Sequence, residues 1–215
     1  MKSKHIPNLI LQGEHQQLDF KFEISDARKI AKTFAAFANT DGGTLLIGVK
    51  DNGNIAGVRS EEEKYMAESA ALMYCKPEVE FSTKEWNING KIVLEIIIPK
   101  GEEIPYFAKT DKDKWMVYVR IKDQNILANK ILVNALLRKK NGEGTYIQYT
   151  DKDKLLLEYL ENNESIGFSK FRKLAKISPY RAENILTNFL ALDIIEIEIS
   201  EKMVLYKLTE SFKAE

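Results

Sequence analysis

A chain of 215 residues with 44% hydrophobic and 30% charged side chains carries enough apolar material for one large domain, or a medium one with a small companion, and this excludes a disordered chain. Its 32 Lys and Arg balance 32 Asp and Glu, so the molecule as a whole sets up no field that draws in polyanions, and any nucleic-acid site has to be a local patch. One cysteine excludes an internal disulfide, and no apolar run approaches the ~20 residues of a membrane span, so a cytoplasmic protein with no membrane partner is expected.

In chain order, residues 1–12 show little periodicity and read as a partly ordered arm. Leu18, Phe20, Phe22 and Ile24 alternate with Asp19, Lys21 and Glu23, the period of a half-buried strand with Asp19 and Lys21 on its polar face. Ala27, Ile30, Ala31, Phe34, Ala35 and Ala38 then recur at helical spacing behind Ser25 as N-cap. Asn39, Thr40 and Asp41 close this helix, and Gly42-Gly43 permit the reversal into an apolar strand from Thr44 to Val49. Asp51-Asn52-Gly53 after it predicts a hairpin. A helix opened by Ser60 and the acids Glu61 to Glu63 should run to about Tyr74, where Lys76-Pro77 ends it. Cys75, beside Leu72, Met73 and Tyr74, reads as a buried hydrophobe in preference to a reactive thiol.

Val79 to Trp86 and Lys91 to Ile98 flank the turn Asn87-Ile88-Asn89-Gly90, and Val93, Ile96, Ile97 and Ile98 mark an interior strand buried on both faces at its end. Short strands at Tyr106 to Ala108 and Trp115 to Ile121 precede an amphipathic helix from Ile126 to Lys140, closed by Arg138, Lys139 and Lys140. Residues 141–150, with Asn141-Gly142-Glu143-Gly144, read as a linker between a domain over 13–140 and another over 151–215. In the second domain, helices at Asp151 to Leu160, Ser169 to Lys176 and Pro179 to Leu192, the last with Ser178 as N-cap, precede a hairpin from Ile194 to Leu208. That is the element order of a winged helix-turn-helix.

Two sets of residues point to chemistry. In the second domain the third helix turns Ala182, Ile185, Leu186, Phe189 and Leu190 inward, leaving Tyr180, Arg181, Asn184, Thr187 and Asn188 outward, types that read base edges. Lys170, Arg172, Lys173, Lys176 and Arg181 fall in a stretch without an acid, a basic patch where a duplex backbone would lie. The plainer alternative is a solvated helix pair, and acids elsewhere in the domain leave a protein-docking role open. In the first domain Gly43-Thr44-Leu45-Leu46-Ile47-Gly48-Val49-Lys50 lacks the Gly-Lys-Ser/Thr ending of a phosphate loop, so ATP is not expected. His5 and His15, without Cys partners, make no zinc site.

Three runs carry a family likeness: Glu14 to Lys21 (EHQQLDFK), Ala36 to Gly43 (AFANTDGG) and Leu46 to Asp51 (LIGVKD). Together they resemble the Schlafen AlbA-like domain of bacterial type, labelled DNA-binding, over roughly Gly13 to Arg120. The resemblance implies an α+β fold with a mixed sheet. In nuclease members three carboxylates in the matching motifs form a metal-dependent ribonuclease site, which would place catalytic and metal-ligating roles on Glu14, Asp19 and Asp51 with Mg or Mn. A divalent ion there would stabilise in-line phosphodiester cleavage and activate a water. Asp19 departs from the pattern, which more often has Glu, and an arm shorter by one methylene can cost ~100-fold in rate. The competing reading leaves Glu14 and Asp19 as salt-bridged residues and Asp51 as a turn residue. Lys21 and Arg120, in matching positions, are candidate phosphate contacts, or else partners in ion pairs. The leading expectation is a homodimeric DNA-binding transcriptional regulator favouring duplex DNA over RNA, with a metal-dependent ribonuclease and a non-catalytic assembly module as alternatives.

Overall fold

The computed structural model describes residues 4–58, 61–141, 149–200 and 203–213, so the expected helix opener Ser60, Gly142 to Gly144 of the expected linker and the hairpin turn at Glu201-Lys202 lie outside the described residues. The chain forms two compact units, residues 1–128 and 129–215. It is an α+β protein, and its first unit holds a mixed sheet, as expected. No helix among the described residues is long and apolar enough to cross a membrane.

The first unit runs α1 (His5–Gln12), β1 (Leu18–Lys21), α2 (Ala27–Ala38), β2 (Gly43–Ile47), α3 (Glu62–Met73), β3 (Cys75–Lys76), β4 (Ser82–Ile88), β5 (Lys91–Ile98), β6 (Phe107–Lys109), β7 (Trp115–Ile121) and β8 (Gln124–Leu127). One sheet has the order β1-β2-β5-β4, with β1 parallel to β2 and the other pairs antiparallel; a second, antiparallel sheet has the order β3-β6-β7-β8. Alanines make α2 slim on most of its sides, and Ala31, Ala35, Ala36 and Ala38 are buried with Phe34 and Phe37. The helix packs against β6 and β7 of the second sheet and shares a core with Leu45, Ile47, Leu94, Ile96 and Ile98 of the first. Asp26, not Ser25, is its N-cap, its side chain accepting the Arg28 N–H at 2.9 Å.

Several expectations are corrected here. Residues 5–12 are a helix rather than a loose arm, because Ile6, Leu9 and Ile10 cover Leu18, Phe20, Leu46, Val49 and Val93 on the other face of the first sheet. With both faces covered, β1 is not half-buried, and Asp19 is only 3% exposed. The hairpin expected after β2 is only a short fold-back: around the turn at Lys50–Gly53, Val49 bridges Ile55, Lys50 donates to Asn54, and Ala56 and Gly57 donate to Gly48, while β2 itself is an interior strand between β1 and β5. Ile97 is exposed, unlike its neighbours Ile96 and Ile98. The hairpin β4-β5 closes on Asn89-Gly90, both at positive φ, with Ile88 opposite Lys91. Gly42 sits at φ +69 and donates to the Phe37 carbonyl at 2.9 Å; a Cβ there would lie 2.7 Å from the Ile98 carbonyl oxygen.

The second unit runs α4 (Lys130–Asn141), α5 (Asp151–Asn162), β9 (Ile166–Gly167), α6 (Phe168–Ala175), α7 (Pro179–Ala191), β10 (Ile195–Ser200), β11 (Met203–Leu208) and the single turn α8 (Glu210–Lys213). The helix expected over Ile126–Lys140 is in fact β8 followed by α4, and α4 groups with the second unit because Ile131 and Ala135 are buried in its core. β10-β11-β9 form a small antiparallel sheet against the helices. Between α6 and α7, Lys176 takes the left-handed conformation (φ 52) and Ile177 donates back to Arg172, closing α6 within one turn; Ser178 then caps α7, with Pro179 in its first turn.

Candidate carboxylate site and nucleic-acid interface

Residues at the start of β1 and the end of β7 meet beneath α2. Asp19 points toward the α2 face of the sheet, where Arg120 of β7 approaches its Oδ1 at 3.5 Å and Lys21 at 3.1 Å. Glu14 accepts the Phe20 N–H at 2.9 Å and stands 4.0 Å from the Lys21 ammonium. Arg120 is 1% exposed: it donates to the Leu18 and His15 carbonyls and to Asn125, and its guanidinium lies 5.1 Å from the Phe37 ring centre. Burial, and a hydrogen bond to the neighbouring Asp19 carboxyl, push Glu14 up to about 7, against the pull of the Phe20 N–H and Lys21. The pair can therefore hold one proton near neutrality.

Of the sequence-derived trio, Glu14 and Asp19 are brought together, but Asp51 lies exposed in the turn after β2. Among the described residues no three His, Cys, Asp or Glu side chains are grouped to hold a metal ion. The cation demand of Asp19 is met by Lys21 and Arg120. The residues present thus do not fit a Mg or Mn ion ligated by Glu14, Asp19 and Asp51. Arg120, expected as a phosphate contact, is a buried structural cation, while Lys21 stays partly exposed beside the two carboxylates.

Side chains that the sequence marks only as a helix end, or as part of a family-like run, hold this corner together. The Gln16 amide donates to the Arg120 carbonyl at 2.8 Å and to Asp41, and accepts the Lys122 N–H at 2.8 Å. Thr40 accepts the Arg120 N–H at 3.0 Å, and Asn39 binds the backbone of both Tyr106 and Tyr118. Short polar residues at a helix end signal capping in a sequence; nothing local signals that they reach strands ~70–80 residues later.

In the second unit, Lys170, Lys173 and Lys176 project from α6 and its closing turn and are exposed, with Arg172 half-buried between them. Lys170 stacks over Tyr159 at 5.0 Å. Among the described residues no ion pair engages Arg172, Lys173 or Lys176. Tyr180, Arg181 and Asn184 line one side of a groove with Thr150, whose hydroxyl lies 3.5 Å from the Arg181 guanidinium. Asn188 is at the far end of the same groove but is bonded by Arg138, and Thr187, expected outward, is 1% exposed. α4 packs against α7.

The family model described as Schlafen, AlbA_2 matches residues 14–129. Among solved structures, the crystal structure of the DIP2311 protein from Corynebacterium diphtheriae is 19% identical with a TM-score of 0.45, covering 68% of this chain and 35% of that one. The chain thus spans about a third of that protein's length. The solution structure of the N-terminal domain of a RecG-related ATP-dependent DNA helicase protein from Nitrosomonas europaea is 19% identical with a TM-score of 0.40, covering 60% of this chain and 97% of that one.

Proposed function

The chain belongs to the Schlafen AlbA_2 family, and on that premise we propose that it is a nucleic-acid-binding protein which grips duplex DNA through its second unit, acting as a homodimeric transcriptional regulator. The observation that carries this reading is the α6-turn-α7 pair. A three-residue turn joins the two helices, a small sheet backs them, and Arg172, Lys173 and Lys176 have no acidic partner among the described residues. In a chain of zero net charge, cations left without partners on one helix favour a polyanion. The arrangement fits a winged helix-turn-helix over residues 151–215, with Lys170, Arg172, Lys173 and Lys176 on the backbone and Tyr180, Arg181 and Asn184 toward base edges. A dimer would match the two halves of a palindromic site.

The ribonuclease alternative requires a third carboxylate beside Glu14 and Asp19, which Asp51 does not supply. Anisotropy titrations against labelled duplex DNA and single-stranded RNA across a salt series test the reading. Lys173→Ala with Arg181→Ala should weaken duplex binding and lower the log–log salt slope by about 2. Unchanged binding removes this surface from the interface. A stable oligomer with no affinity for either nucleic acid makes the chain an assembly module instead.

A further inference from the structure

The helix α4 occupies a place that the duplex-reading assignment of α7 needs. The core side of α7 is Ala182, Ile185, Leu186 and Phe189, and at about 100° per residue Glu183 and Thr187 fall on one flank while Arg181 and Asn188 fall on the other. α4 takes the first flank. Lys130 pairs with Glu183 at 2.8 Å, and Thr187 is closed off from solvent although it does not face the core. From that flank Arg138 bonds Asn188 on the opposite one, so its side chain crosses the outer face of α7; Lys139 pairs with Asp193 just past the end of α7. A major groove about 12 Å wide admits one α-helix of about 10–12 Å, not two packed side by side.

We propose that α4 is a cover on the reading face of α7, closed in the state seen here, and that duplex reading requires its displacement. The inference rests on the DNA-binding assignment above and adds a regulatory step to it. The attachment suits such a step. Ile131 and Ala135 are the α4 side chains buried in the core, Leu132, Val133 and Leu136 are half-buried, and the two ion pairs Lys130–Glu183 and Lys139–Asp193 lie as pins at the surface, individually weak and screened by salt. With α4 closed, Thr187 and Asn188 are unavailable and only the first turns of α7, with Tyr180, Arg181 and Asn184, remain open beside the α6 cations.

Hydrogen exchange of the full chain, with and without saturating duplex DNA, reads the cover directly. Amides of residues 130–141 should exchange faster in the complex while those of α7 slow. Protection of α4 that is unchanged on DNA binding overturns the proposal and leaves the regulator reading standing. Two variants supply a second measure, because they break the same two pins with opposite changes of charge: Lys130→Ala with Lys139→Ala, and Glu183→Ala with Asp193→Ala. Judged against Lys152→Ala with Lys154→Ala, which removes two cations elsewhere, both variants should bind duplex about three-fold tighter or more. Tightening by the acid-side variant alone is plain electrostatics and overturns the cover. If wild type and both pin variants all fail to bind duplex, the cover and the DNA reading fall together.

Discussion

Asn39, the residue that ends α2, holds the backbone of Tyr106 from two directions: its Nδ2 donates to the Tyr106 carbonyl at 2.8 Å and its Oδ1 accepts the Tyr106 N–H at 2.7 Å. The same Nδ2 donates to the Tyr118 carbonyl at 2.8 Å, so one side chain fixes α2 to both β7 and the segment before β6. Asn39→Ala would leave a buried N–H and two carbonyls without partners, and a buried orphan costs ~1–3 kcal/mol. The expected loss is ~2–4 kcal/mol, a fall of about 1–2 M in the urea midpoint. Both tryptophans, Trp86 and Trp115, lie in the first unit, so indole fluorescence follows its unfolding. A midpoint within 0.3 M of wild type, by the same order of argument, would mean that water replaces the side chain.

The elements of this fold were legible wherever a pattern repeats along the chain. The 3.6-residue spacing of Ile30, Phe34 and Ala38 gives α2, Ser178-Pro179 gives the start of α7, and Asn89-Gly90 gives the β4-β5 turn. What the sequence hid depends on partners far away. Asp19 looks like the wet face of a strand because nothing near it reveals that Arg120, about a hundred residues on, will be buried against it. Ile6 carries no cap or long period to announce a helix, and only the sheet beneath makes that helix worth forming. The candidate site was half legible for the same reason: Glu14 and Asp19 are joined by a short local stretch, whereas Asp51 sits in the exposed turn of a short fold-back, whose position relative to β1 nothing local announces.

The proton on Glu14 makes the stability of the first unit depend on pH. Its folded value is raised from 4.5 to about 7, chiefly by burial and then by the bond to Asp19, so its contribution is complete below about 4.5 and is lost as pH rises through 7. Above that, folding must hold a second negative charge beside Asp19. Glu14→Gln keeps an oxygen for the Phe20 N–H and cannot ionise. The variant should therefore gain on wild type between about pH 4.5 and 7, and the gain should level off above 7, in urea titrations followed by tryptophan fluorescence. Carboxyl-carbon NMR of Glu14 should titrate with a midpoint near 7 in wild type. A midpoint in the ordinary carboxylate range, with parallel stability profiles, would place the proton elsewhere.

Cys75 should be chemically silent in the native state. It is 4% exposed, its Sγ lies 3.5 Å from the Ala31 carbonyl, and burial pushes the thiol up to about 12. At pH 8 an aromatic disulfide reagent should find no thiol in the folded protein and one in denaturant. Reaction at the rate of a free thiol without denaturant would show that α2 and β3 open readily.

Glu95 tests whether α1 is docked by chemistry as well as by packing. This carboxylate is 3% exposed on β5, yet it accepts the Trp86 indole N–H at 2.7 Å and contacts the His5 imidazole, also at 2.7 Å. The two rings lie 4.9 Å apart, so His5, Trp86 and Glu95 clamp the first turn of α1 onto the β4-β5 pair. Glu95→Ala strands the indole N–H and removes the carboxylate contact to the His5 imidazole, while Ile6 and the other apolar contacts of α1 survive. The loss should be ~1–3 kcal/mol, accompanied by a red shift of Trp86 emission and by proteolytic cleavage near Gln12 before global unfolding. His5→Ala removes one arm of the clamp and should give the cleavage with a smaller emission shift. If both variants resist protease as wild type does, the apolar face of α1 alone holds it down, and the clamp adds only order to the ring pair.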